Sequence, residues 1–291
     1  MASIAKTIVA TGGSSGVGFE AIKQILAQTQ PYRLILGVRD TQRTKAAYDE
    51  LKYDSAKHSL TLLPLELSDF KNVKTFANQT IEALGETKID YLFLNAGMYK
   101  SAVGPGPHGS KWSETYLVNH LSQHYLLHLL REKLEASKSR IVVVSSGAVR
   151  SIKDPSTLED TVKAGSTAGF DLYSATKFIQ LLGTQWWRRQ LLGTCQIVAV
   201  SPGLIPQTGL GRHSDMKIDL SMPDAKSVAE GGASLVRAFF QDDVPEDPQR
   251  LFLTSWGEWW PKDVYGLSLD EKLQDKWSPS KDEIEKEDVN A

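Results

Sequence analysis

Apolar positions in this chain gather into short, nearly unbroken runs. Lys6–Ala10, Arg33–Val38, Ser59–Leu67, Asp90–Asn95, Arg140–Ser145, Gln196–Ser201 and Arg250–Thr254 are rich in β-branched residues or leucine, as expected for parallel strands covered on both faces. Between them the spacing predicts helices over residues 17–29, 41–52, 69–84, 111–135, 171–191 and 225–241. Regular alternation of strand and crossover helix predicts an α/β fold, a doubly wound seven-stranded parallel sheet in a single domain.

Two stretches break the alternation. Residues 150–170, rich in Gly, Ser, Thr and Asp, read as a long loop before the helix at 171. Residues 255–291 carry four tryptophans and end in the charged run Lys281–Asp288, which reads as a solvated tail. The expected organisation is a catalytic domain over 1–254 and, over 255–291, a C-terminal extension of the same domain.

The formal charge of -2 leaves no basic surplus, which argues against nucleic acid as a principal partner. Cys195 is the single cysteine, so no intramolecular disulfide can form and a reducing, cytoplasmic setting is expected. The opening residues lack a basic start and a full apolar signal core. No run reaches the roughly 20 apolar residues of a membrane span.

Thr11-Gly12-Gly13-Ser14-Ser15-Gly16-Val17-Gly18 follows the first strand directly and opens the first helix. Glycines there permit a tight turn and close approach of backbone N–H groups to a pyrophosphate, and the helix N-terminus favours its charge. In this position the turn reads as the dinucleotide-binding corner of a Rossmann-type sheet; out of context it would be only a glycine-rich surface turn. The end of the second strand, Leu36-Gly37-Val38-Arg39-Asp40, has Val38 where an acid for the adenosine ribose is expected and the cation Arg39 beside it. That favours NADP, because a guanidinium can grip a 2′-phosphate. The competing reading is that Arg39 pairs with Asp40.

With further motifs in order, the sequence resembles the short-chain dehydrogenase/reductase family from about residue 5 to residue 210, and looks most like retinol-dehydrogenase-like and protochlorophyllide-reductase-like members. Those motifs are Leu94-Asn95-Ala96-Gly97, Val118-Asn119-His120, Val144-Ser145-Ser146, Tyr173-Ser174-Ala175-Thr176-Lys177, and Pro202-Gly203 followed by Ile205 and Thr208. The resemblance implies a catalytic set of Asn119, Ser146, Tyr173 and Lys177. It implies a cofactor site made of Gly12, Ser14, Ser15, Gly16, Val17, Gly18, Arg39, Glu66, Leu67, Asn95, Ala96, Gly97, Tyr173, Lys177, Pro202, Gly203, Ile205 and Thr208. Glu66 stands where many members have Asp, Thr208 lies one residue further from Pro202 than is common, and the separation of Ser146 from Tyr173 exceeds that of compact members.

The residue types suit hydride-coupled proton transfer. Reduction of a carbonyl develops negative charge on oxygen, which calls for an acid and aimed donors. A phenol with its usual pKa near 10 is a poor shuttle, and a lysine four residues later on the same helix face favours the phenolate. Lys177 would also bond the nicotinamide ribose, Ser146 would hold the substrate oxygen, and Asn119 would support a proton path from Lys177 to solvent. The expected function is NADP-dependent oxidoreduction of a hydrophobic carbonyl or secondary alcohol. The alternative is a catalytically silent NADP-binding regulatory protein.

The segment 204–224 reads as a substrate lid, with Met216, Ile218, Leu220 and Met222 as its oily side, or else as packing on the sheet edge. Trp256, Trp259 and Trp260 are candidates for the opposite wall. His120, His124 and His128 share a helix face, but the third lies too far along it for one ion, so packing or a subunit contact is expected and no metal. The same resemblance implies a homodimer face on the helices at 111–135 and 171–191, near Trp186 and Trp187.

Overall fold

A computed structural model describes residues 4–166, 169–206, 208–211 and 221–289. Seven strands, β1 (Lys6–Thr11), β2 (Tyr32–Val38), β3 (Ser59–Pro64), β4 (Tyr91–Leu94), β5 (Arg140–Val144), β6 (Gln196–Val200) and β7 (Phe252–Leu253), form one sheet in the order β3-β2-β1-β4-β5-β6-β7. Every pairing is parallel. The chain reverses direction of growth between β1 and β4, and a crevice opens there beyond the carboxyl ends of the strands.

Each continuous apolar run is divided between the two faces with period two. Val9, Ile35, Leu92, Ile141 and Val143 enter one core with residues of α3 (Phe70–Leu84), α5 (Ser122–Ser137) and α7 (Phe170–Gln190). Their neighbours Ile8, Leu34, Phe93, Val142 and Val144 enter the other core with α1 (Gly16–Leu26) and α8 (Val228–Phe240). Both cores are needed to remove these runs from water, which is why the strands lack a polar face. α2 (Thr41–Glu50) flanks β3, and Asp40 caps it by accepting from Arg43 N at 2.9 Å.

Several boundaries differ from the periodicity. The helix expected at 111–135 is a short turn, α4 (Glu114–Tyr116), a π-helical turn Leu117–Leu121 and then α5. The stretch 150–170 is not structureless: it holds short 3-10 turns and α6 (Leu158–Val162), whose Leu158 and Val162 are buried. Strand β7 has two residues rather than five, because Arg250 and Thr254 turn their backbone toward loop partners Asp247 and Glu258.

The C-terminal run is docked where a solvated tail was expected. A 3-10 stretch, Lys262–Leu269, and α9 (Glu271–Lys276) pack on α7, and α10 (Lys281–Val289) packs on α5. Ile284 is buried, and Glu285 accepts from Tyr125 Oη at 2.7 Å and from Lys74 Nζ at 3.0 Å. Spaced apolar residues among the charges, Ile284 above all, give α10 a face to bury; the charge run hid that face. The three histidines of α5 and the π turn hold the same segment by its carbonyls: His120 Nε2 meets Trp277 O at 2.9 Å, and His124 Nε2 meets Pro279 O at 2.9 Å. Burial depresses all three imidazoles, His120 to about 4, so they serve as neutral hydrogen-bonding groups. Among the described residues no helix is long and apolar enough to cross a membrane.

Candidate active site

The crevice at the β1/β4 reversal is a cleft of about 660 Å³. Its β1–β2 side is made of backbone. Gly12 sits at φ +70° and Gly16 at φ +59°, in the left-handed region that glycine adopts without strain. A Cβ on Gly12 would stand 2.6 Å from Ala96 Cα, and one on Gly18 would stand 2.1 Å from Asn95 Nδ2. The turn is therefore closed down onto the end of β4. Asn95 locks it there, its Nδ2 donating to Gly12 O at 2.7 Å and its N donating to Thr11 Oγ1 at 3.2 Å. Ser15 precedes α1 in an extended conformation and makes no side-chain cap. The first N–H groups of α1 thus meet the cleft without a capping oxygen, a slot suited to an anion.

At the end of β2, Gly37, Val38 and Arg39 line the cleft. Asp40 is committed to capping α2, and Arg39 forms no ion pair among the described residues. The Arg39–Asp40 pairing that competed with phosphate binding is absent. Glu66 also lines the cleft, but its Oε1 accepts from Ser68 N and Oγ, both at 2.9 Å, so one carboxylate oxygen is held within its own loop.

On the β4–β6 side the walls are side chains. Ser146 leaves β5 in an extended conformation, accepts from Ala148 N at 3.1 Å, and is hydrogen-bonded to the Tyr173 phenol. Its neighbour Ser145 lines the same cleft, yet its buried Oγ has no partner among the described residues. Tyr173 and Lys177 lie one turn apart on α7. Lys177 Nζ donates to Val144 O at 2.7 Å and to Gln180 Oε1 at 3.0 Å. Burial drives Tyr173 up to about 12, against the lowering by its Ser146 bond, and adjacent Tyr99 raises it further. Burial also drives Lys177 down to about 7. In the chain alone, desolvation outweighs the mutual favouring of ammonium and phenolate that the spacing suggests.

Of the residues named from the sequence, Gly12, Ser14, Ser15, Gly16, Val17, Gly18, Arg39, Glu66, Leu67, Asn95, Ala96, Gly97, Ser146, Tyr173, Lys177, Pro202, Gly203, Ile205 and Thr208 line this one cleft. Asn119 does not. It is fully buried in the π turn, where Oδ1 accepts from Met98 N at 2.7 Å and Nδ2 donates to Met98 O at 3.0 Å and to Thr176 Oγ1 at 2.9 Å. It ties the loop after β4 to α7, behind the reacting face. Thr208 Oγ1 reaches Ile205 O at 3.4 Å, and its Cβ lies over Gly16.

The sequence reading missed Tyr99 and Phe170. Tyr99 packs on Tyr173 with ring centroids 5.3 Å apart, and Phe170, three residues before Tyr173, lines the mouth while 44% exposed. Only the i, i+3 relation to Tyr173 could have flagged Phe170; nothing local marks Tyr99. Arg150 also lines the mouth, its guanidinium 5.0 Å over the Trp260 ring. Trp256, Trp259 and Trp260 do not line the cleft: Trp260 is buried against Phe252, and Trp259 Nε1 donates to Asp243 O at 2.8 Å. Met216, Ile218 and Leu220 lie outside the described residues; Met222 is exposed. The anchored end of this segment is Asp224, whose O accepts from Leu204 N at 2.8 Å and whose carboxylate bonds Ser255 Oγ.

Comparison with known proteins agrees with this geometry. Residues 6–157 match the family model described as short chain dehydrogenase. A short-chain dehydrogenase/reductase of Pestalotiopsis microspora, GME11359, is 59% identical over 98% of this chain and 99% of its own. Retinol dehydrogenase 12 of Homo sapiens is 31% identical over 78% of this chain and 70% of its own. The chain belongs to the short-chain dehydrogenase family of oxidoreductases, on its retinol-dehydrogenase-like side. Among solved structures, an NADPH-bound carbonyl reductase from chicken fatty liver superposes with a TM-score of 0.65 at 20% identity, over 88% of this chain and 98% of that one. The carbonyl reductase Sniffer of D. melanogaster gives 0.65 at 19% identity, over 88% and 99%.

Proposed function

We propose that this protein is an NADP-dependent reductase of hydrophobic carbonyl compounds, or oxidant of the corresponding secondary alcohols, working in a reducing, cytoplasmic setting. The observation that carries it is the convergence of Ser146, Tyr173 and Lys177 on one cleft with the closed glycine turn and an ion-pair-free Arg39. The cradle fits a dinucleotide: Gly12 and Gly18 let the turn close onto the end of β4, and the start of α1, without a side-chain cap, lines the same cleft. Residues 12–18 would hold the pyrophosphate, Arg39 the 2′-phosphate, and Lys177 a ribose. The nicotinamide supplies or takes up the hydride when bound.

The chain's own residues manage the proton. Tyr173 donates its phenolic hydrogen to the carbonyl oxygen in reduction and takes it back in oxidation. Ser146 donates to the same oxygen as charge develops there, a contact stronger in the transition state than in the ground state. Lys177 replaces the proton that Tyr173 gives up. Asn119 keeps Met98 and Thr176, and hence the loop after β4 and the catalytic helix, in register. Met98, Tyr99, Phe170, Leu204 and Leu210 line the mouth, which supports a large apolar substrate over a free sugar. The assembly that the resemblance implies is a homodimer; a second copy meeting α5 and α7 would also meet α9 and α10, which pack on them.

A panel of ketones, aldehydes and sugars, followed by NADPH absorbance, tests the reading. Turnover of bulky apolar carbonyls that exceeds turnover of sugars is expected. Tight NADPH binding with no turnover of any panel member would overturn it in favour of the silent, regulatory protein.

A further inference from the structure

Lys177 reaches its place with few partners. Its side chain is buried, and among the described residues Nζ has two acceptors, Val144 O at 2.7 Å and Gln180 Oε1 at 3.0 Å. An ammonium has three hydrogens. Two are spent on those acceptors, which leaves one; Lys177 and Gly97 both line the cleft, and a Cβ on Gly97 would stand 3.9 Å from Nζ.

Gln180 is itself 4% exposed, and its Nε2 has no hydrogen-bond partner among the described residues. An amide oriented for its own satisfaction would turn that N–H toward an acceptor. Turning it here would set an N–H donor against an ammonium. The orientation that orphans Nε2 is the one that gives Lys177 its second acceptor, so the cost of a buried unpaired donor is borne to hold the cation.

We propose that Gln180 is a positioning residue for Lys177: its amide oxygen keeps the lysine protonated and fixes Nζ, so that the third hydrogen faces the cleft. The proposal rests on the reading of Lys177 as the proton source for Tyr173. Burial alone lowers the lysine to about 7, so a neutral acceptor on Nζ bears directly on how much ammonium survives at working pH. The groups beside Nζ are the Val144 carbonyl from β5, Gln180 from α7 and Gly97 from the loop after β4, with Tyr173 one turn back on α7. Tyr173 is the one of these that titrates besides Lys177 itself.

The test uses the full chain with Gln180→Met, close in size but without an acceptor, and Gln180→Glu, which keeps one. Competitive acetylation of the cofactor-free protein, read by mass spectrometry of the Lys177 peptide across pH, reports the lysine's own titration whatever the substrate. Gln180→Met should titrate Lys177 about one pH unit lower and reduce kcat about tenfold, with the NADPH dissociation constant changed less than threefold. Gln180→Glu should bring Lys177 titration to or above the native pH and recover most of the lost kcat. An unmoved Lys177 titration in Gln180→Met, or equal loss of kcat in both variants, overturns the proposal. If Gln180→Met does not fold, Gln180→Ala, which also lacks an acceptor, takes its place, and an unmoved Lys177 titration there overturns the proposal. A native protein that turns over no carbonyl leaves the acetylation result standing and instead overturns the reading of the site.

Discussion

Along the β1–β2 half of the cleft the walls are backbone, pressed so close that Gly18 has no room for a methyl group, whereas along the β4–β6 half they are side chains on loops and on α7. On the proposed reading, the first half recognises what every dinucleotide has, a pyrophosphate, and needs no particular side chain except at Arg39. On the same reading, the second half places donors at one oxygen and fits one class of substrate, so its character depends on Tyr99, Phe170, Ser146 and Tyr173. A backbone wall tolerates few substitutions and keeps one function. A wall of side chains can be re-specified without disturbing the sheet.

Substitutions in the two halves should fail differently. Tyr173→Phe removes the proton donor and its bond to Ser146 while keeping the ring, so steady-state turnover should fall by about 10²–10⁴-fold while NADPH affinity by fluorescence titration changes less than threefold. Retention of more than about a tenth of native activity would break the assignment. Gly18→Ala should show the reverse, because its methyl would meet Asn95 Nδ2 at 2.1 Å. Overpacking of that kind costs about 1–3 kcal/mol, which predicts NADPH affinity lowered at least about tenfold and a melting temperature lowered by a few degrees.

Acidity separates the halves as well. The depressed Lys177, at about 7 in the free chain, must be charged to resupply Tyr173 in reduction. Free-enzyme kcat/KM for reduction should therefore be highest below that value and fall about tenfold per pH unit above it. Binding of adenosine 2′,5′-bisphosphate, which would engage only the backbone half and Arg39, should stay flat over the same range. A parallel decline of both would merge the two halves into one titrating unit. Arg39→Ala should weaken NADPH about tenfold and leave NADH unchanged, and native affinities equal for the two would remove NADP preference. The smallest effect is expected for Phe170→Ala, a twofold to fivefold change in the rate ratio of large to small carbonyls with NADPH affinity constant; an unchanged ratio would place the substrate elsewhere.

The backbone half was the legible half. Glycines directly after an apolar strand have few physical uses, and the runs at 6–10, 33–38 and 90–95 had no polar face to offer water, so the parallel sheet and the tight turn at its first strand could be read from pattern. Ser146, Tyr173 and Lys177 were legible through spacing and family resemblance together. Asn119 was named for a proton path yet lies outside the cleft lining, and its contacts were not legible, since its partner Met98 is distant in sequence and speaks through its backbone. Tyr99 was invisible for the same reason: its role is a ring contact across the cleft with α7. Polar composition concealed the docking of α10, because a single buried Ile284 and two tyrosine- and lysine-bound carboxylate contacts do not alter a charge count. Trp260 misled for the opposite reason, a large apolar ring being as well used in packing on Phe252, behind the Arg150 that lines the mouth, as in the cleft wall.

The π turn at Leu117–Leu121 gives this part of the chain one residue of slack in length. Such a turn holds one residue more than an α turn over nearly the same arc, because each residue of the wider turn advances by a smaller angle. Deleting one of the five would let α4 and α5 fuse into an unbroken α-helix with α5 still in phase, so His124 would keep facing Pro279. What would go is the widened turn itself, and with it the placement of Asn119 against both backbone groups of Met98. A deletion inside α5 has no such surplus to absorb it. The residues beyond it would turn by about 100° and carry that error to Ser137.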